Sequence, residues 1–132
     1  MVVKVRGTKM YTRKYIEVIG TIYGISGREL DVVHVFVLSH IEKDRLRSKL
    51  LKANEDISDT EDKLDVPSIS SMVKDPDNIK KLRESIHMSV PVFRNYVSVI
   101  KKKGFFLNGG ALNKDFIPSD TETTIKIINT NV

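Results

Sequence analysis

His34, His40 and His87 are the three histidines of a 132-residue chain that has no cysteine, so acid–base or metal chemistry would have to start from them. His34 and His40 stand six residues apart, which does not bring both to one face of a helix, and no carboxylate pair completes a ligand set. Each therefore reads as a core or surface histidine. The acidic run 55–65 lacks the glycine and terminal glutamate of a calcium loop. Asn108-Gly109-Gly110 is a turn signal and a poor phosphate cradle, and no nucleophile elbow, Walker loop or dinucleotide fingerprint occurs. The reading is a protein with no catalytic residue, no metal site and no cofactor.

Charge is the stronger signal. The net charge is +5, but it is segregated. Residues 1–52 hold eleven Lys/Arg against five Asp/Glu; residues 53–78 hold two against eight; residues 79–117 hold eight against two; the tail 118–132 is close to neutral. Two basic blocks around an acidic one could present a positive face to phosphate, or the acidic block could neutralise a basic neighbour. Tyr11 and Tyr15, interleaved with Lys9, Arg13 and Lys14, could stack on exposed bases; packing along an amphipathic helix explains them, Tyr23 and Tyr96 equally well.

The remaining composition bounds the class. Hydrophobic residues make up 40 % and charged residues 30 %, as in ordinary globular domains. No apolar run is long enough for a membrane helix, so no membrane partner is expected. The start, MVVKVRGTKM, has no apolar core of a secretory signal. These features, with the lack of cysteine, fit a cytoplasmic protein or a virion component. Fourteen isoleucines against two alanines, and fifteen lysines against seven arginines, suggest AT-rich coding DNA such as many phages carry.

The elements that position these groups are mainly helical. MVVKVR offers a short strand. Thr12 is the expected N-cap of a helix to about Tyr23, with Tyr15, Ile19, Ile22 and Tyr23 on its apolar face and Gly24 as its stop. Ser26 and Glu29 have capping-box spacing before a helix over 27–40, whose LDVVHVFVL run is apolar nearly all round and so central. IEKDRLRSKLLKA continues or restarts helix, with Ile41, Leu46, Leu50 and Leu51 inward. Residues 53–77 form an acidic linker or insertion, with one helical turn at SISSMV. Asp75-Pro76 opens another helix, with Ile79, Leu82 and Ile86 as its buried stripe.

A break at His87-Met88-Ser89 leads to VPVFRNYVSVIKKKGFF. Ser89 is the N-cap; Phe93, Val97 and Ile100 face the preceding helix, and Arg94, Asn95, Ser98 and Lys101 face away. Gly104 ends the helix after Lys101-Lys102-Lys103, and residues 105–118 offer two extended pieces around the glycine turn. Residues 78–117 thus resemble the second helix, recognition helix and wing of a winged helix-turn-helix DNA-binding domain. RELDVVHVFVL would be the first helix, 41–75 an insertion, and Phe105 and Phe106 the apolar residues that join the core. The resemblance implies phosphate or base contacts from Ser89 and Arg94 and base-edge reading by Asn95, since arginine favours guanine and asparagine adenine. It makes Lys101, Lys102, Lys103 and the wing residue Lys114 phosphate contacts, or a solvated helix end.

Val90, Pro91 and Val92 depart from that pattern. Their apolar nose could touch thymine methyls or dock a protein. The expected fold is a single domain over 1–132, mainly α with a small β wing: a winged helix-turn-helix with an N-terminal helical part over 1–52 and a strand-like tail over 118–132. The expected function is non-catalytic duplex DNA binding in transcription or replication control, by a homo-oligomer paired through helix 12–23. The alternative is a structural or adaptor subunit of an assembly such as a phage particle.

Overall fold

The computed structural model describes residues 8–118, with side chains from Tyr11 onward. The MVVKVR segment and the strand-like tail lie outside the described residues. Five helices carry the fold: α1 Thr8–Tyr23, α2 Arg28–Glu55, α3 Ile69–Lys74, α4 Pro76–Ser85 and α5 Val90–Lys102. Two 3-10 turns, Thr60–Asp62 and Lys114–Phe116, punctuate the loops.

The centre of the core is aromatic. All five phenylalanines of the chain form one contact network. Phe36 of α2 stacks on Phe93 of α5 at 5.9 Å between ring centres and meets Phe106 edge-on at 5.4 Å. Phe105 joins Phe36 at 6.1 Å to Phe116 at 5.1 Å, and Tyr23 closes the chain of rings on Phe116. Val32, Val33, Val37, Val73 and Ile100 fill in around these rings, all fully buried. The expected central, apolar helix is therefore the first half of α2.

Three helices end by one device. At the ends of α1, α4 and α5 a residue with positive φ (Gly24 at 70°, His87 at 56°, Gly104 at 96°) reverses the chain. In each case the next residue's amide reaches back to the carbonyl five residues earlier: Ile25 to Gly20, Met88 to Arg83, Phe105 to Ile100, at 2.8–3.2 Å. That next residue is buried every time. Each cap thus satisfies loose carbonyls and plants an apolar side chain in the core. Gly20 serves a different need, because a Cβ there would lie 2.9 Å from Leu30 of α2.

Several expectations need correction. Among the described residues there is no strand or sheet, so the small β wing is not seen; a single antiparallel bridge, Phe106 to Leu112, remains. The reason is that this segment is fastened down. Phe105, Leu112 and Phe116 are buried, and Asn113 donates to the Gly104 carbonyl at 3.0 Å. The Tyr15 hydroxyl donates to the Asp115 carbonyl at 2.6 Å, and the Tyr23 hydroxyl to the Asp115 carboxylate. Thr12 is not a cap: it lies inside α1 and is fully buried. On α1, Tyr15, Ile19 and Tyr23 pack against the core as expected, beside the buried Tyr11, Thr12, Ile16 and Gly20, whereas Ile22 is exposed.

The capping box of Ser26 and Glu29 does not form either. Gly27, not Ser26, is the N-cap residue, and the Glu29 carboxylate is taken by Lys103 at 2.6 Å. The segment 41–53 continues the helix over 27–40 rather than restarting it, and Leu46 and Leu51 are exposed rather than inward. The capping of α4 and α5 is as the residue types imply. Asp75 accepts from the Asp77 amide at 3.1 Å, Ser89 accepts from the Val92 amide at 3.4 Å, and a proline follows in each first turn.

Two substitutions test this account. Phe36→Ala removes the ring that three others touch and should cost about 3–5 kcal/mol, read from urea unfolding. His87→Gly should raise stability by about 0.5–1 kcal/mol in the same measurement. Relief of a left-handed conformation that suits glycine outweighs the entropy glycine adds to the unfolded chain.

Candidate nucleic-acid interface

The turn 86–89 joins α4 to α5, and α5 is held at both ends. At its start, Met88 is buried and its carbonyl accepts from Arg83 at 2.9 Å, while Arg28 of α2 donates to the Ile86 carbonyl at 2.9 Å. At its end, the Lys103 ammonium reaches the Gly24 carbonyl at 2.7 Å and the Glu29 carboxylate. Phe93 and Ile100 are buried, and Tyr96 and Val97 pack against the core. These anchors decide which way the rest of α5 points.

The opposite face is open. Pro91, Arg94, Asn95, Ser98, Lys101 and Lys102 are all exposed, at steps of three and four residues that keep them on one side of the helix. They span roughly 16 Å along the axis. Among the described residues, the Arg94, Lys101 and Lys102 side chains enter no salt bridge. Ser89 is exposed, but its hydroxyl is engaged in capping. Val90 and Val92 are 41 % and 46 % exposed, so the apolar nose projects at the start of the helix.

The remaining expected contacts fall elsewhere. Lys103 is turned back onto the α1–α2 corner, where its charge is matched by Glu29. Lys114 is exposed but sits in the second 3-10 turn, on the segment fastened to α1. The supporting roles of Arg28 and Arg83 went unread in the sequence. Arg28 acts across 58 positions, and Arg83 donates to a backbone carbonyl that only the turn brings near.

The tyrosines are spent on packing. Tyr11 is buried, and burial, then the neighbouring Tyr11 and Asp115, holds the Tyr15 phenol above its ordinary range. The hydrogen bond to Asp115 raises the Tyr23 phenol likewise. Burial pushes the His40 imidazole down, partly offset by Asp44. Among the described residues no group of three or more His, Asp or Glu could hold a metal ion, and no helix is long and apolar enough to cross a membrane.

A groove of 380 Å³ between α2 and α4 is lined by His34, Lys43, Asn78 and Lys81 among others. Its polar groups are largely engaged with one another. Asn78 donates to Ser39 at 2.9 Å and to the Val73 carbonyl at 2.8 Å, Asp31 pairs with Arg13 and Arg28, and Lys43 lies 3.5 Å from Glu42. The open face of α5, by contrast, offers polar side chains that enter no salt bridge among the described residues. The chain matches no family model, no curated protein and no solved structure.

Proposed function

We propose that the chain is a duplex DNA-binding protein that acts without catalysis, presenting α5 to the major groove. One observation carries the reading. The side of α5 turned away from Phe93 and Ile100 offers Arg94, Asn95, Ser98, Lys101 and Lys102 together, exposed and on a helix held at both ends. Arginine and asparagine can each form two hydrogen bonds to a base edge, and the lysines supply phosphate contacts. The short α4–α5 turn, with its left-handed residue at His87, also supports a helix-turn-helix reading. No wing takes part. Control of transcription or replication is the role such a protein would serve.

Val90 and Val92 favour a second reading, in which the same nose docks a protein subunit of a larger assembly. One set of variants separates the two, measured by fluorescence anisotropy on duplex DNA across a range of salt. If DNA is the ligand, Arg94→Ala or Asn95→Ala should relax sequence preference, at a cost of about 1–3 kcal/mol on the preferred site. Lys102→Ala should weaken all duplexes alike and reduce the salt slope by about 1. Absence of binding at low salt by the folded protein contradicts the DNA reading. In the docking reading, Val92→Asp abolishes partner binding while the Arg94 and Asn95 variants leave it unchanged.

A further inference from the structure

The second half of α2 carries no buried residue, and only Ile41 of its apolar side chains packs against the core. Every buried residue of this helix lies between Val32 and Ser39, so residues 40–55 contribute none. Roughly 24 Å of helix therefore runs on past the aromatic centre. Arg45, Arg47, Lys49 and Lys52 lie along this shaft, and none joins a salt bridge among the described residues.

At the end of the shaft the chain turns back on itself. Asn54 donates to the Leu64 carbonyl and accepts from the Leu64 amide, both at 2.8 Å, which closes a loop over 55–64. This tip carries Asp56, Asp59, Glu61 and Asp62, again without a salt bridge among the described residues. The shaft thus carries an excess of positive charge despite Glu42 and Asp44, the tip an excess of negative charge despite Lys63, and the two adjoin one another. Both also expose large aliphatic side chains: Leu46 at 44 % and Leu51 at 41 % on the shaft, Leu64 at 52 % on the tip.

We infer that this arm is a self-complementary docking surface and that its occupant is a second copy of the chain. In a two-fold contact, any residue pair across the interface occurs twice. Two arms laid antiparallel therefore set the tip of each against the shaft of the other, matching opposite charges at both ends. Leu64 of one copy then covers the shaft leucines of its partner. A polyanion satisfies the shaft but is repelled by the tip and leaves the leucines in water, so the charge pattern selects a copy of the chain over DNA. The inference is independent of the α5 reading, since it uses none of the same residues. It also moves the pairing surface from helix 12–23, expected from sequence, to the far half of α2.

A charge-swap experiment on the full chain tests it by sedimentation velocity at tens of micromolar and low salt. The wild type should sediment as a dimer. A shaft variant (Arg45→Glu, Lys49→Glu, Lys52→Glu) and a tip variant (Asp56→Lys, Glu61→Lys, Asp62→Lys) should each weaken self-association about tenfold or more. Circular dichroism reports whether each remains helical. Mixed in equal amounts, the two helical variants should regain the dimer, because the swapped charges complement. A monomeric wild type overturns the inference. So does a dimer indifferent to both variants but dissolved by Ile22→Lys, which would place pairing on α1.

Discussion

The contact between Phe36 and the rings around it orients everything else in this molecule. Phe36 lies on the buried half of α2, and its stacking on Phe93 fixes the rotation of α5 about its axis. Phe105 and Phe106 follow directly after the cap of α5, so the same cluster fixes where that helix ends. Phe116 then draws the last described turn back beneath Tyr23. Given those constraints, Arg94, Asn95, Ser98 and Lys102 can only face water. The exposure of this polar face is thus a consequence of how five rings pack.

The helix ends extend the same logic. Burying Ile25, Met88 and Phe105 immediately after a left-handed residue converts each chain reversal into a core contact. The turn between α4 and α5 gains further support from Arg83 and Arg28, whose donors satisfy carbonyls that the reversal leaves free. The far half of α2 has less anchoring, since it has no buried residue and Arg45, Arg47, Lys49 and Lys52 enter no salt bridge among the described residues. The two surfaces differ physically: one is a rigid polar face, the other an amphipathic arm of mixed charge.

What was legible in the sequence was local. Asp75-Pro76 and Ser89 marked real helix starts because capping depends on neighbours two or three residues away. Phe93, Val97 and Ile100 marked the buried side of α5 because helical periodicity is a short-range property, although that side packs on α2 and not, as expected, on the preceding helix. Ser26 and Glu29 misled because a residue 74 positions distant, Lys103, takes the carboxylate that the box requires. The wing misled for a similar reason. Asn108-Gly109-Gly110 does turn the chain, but Tyr15 and Tyr23, about a hundred residues upstream, pin the returning segment to α1. Leu46 and Leu51 misled differently: apolar type alone implied burial, and whether a core reaches that far along α2 is not a local property. The open face of α5 was legible in outline, whereas the diversion of Lys103 from it was not.

The contact proposed here is between the outward face of α5 and duplex DNA. It is tested most directly by titrating a mixed-sequence duplex into isotopically labelled protein at low salt and following backbone amide resonances. The account expects the largest shifts from Ser89 to Lys102, fading as salt is raised, with the core amides around Phe36 unmoved. Unshifted α5 resonances at saturating duplex, or shifts confined to other elements, would contradict it.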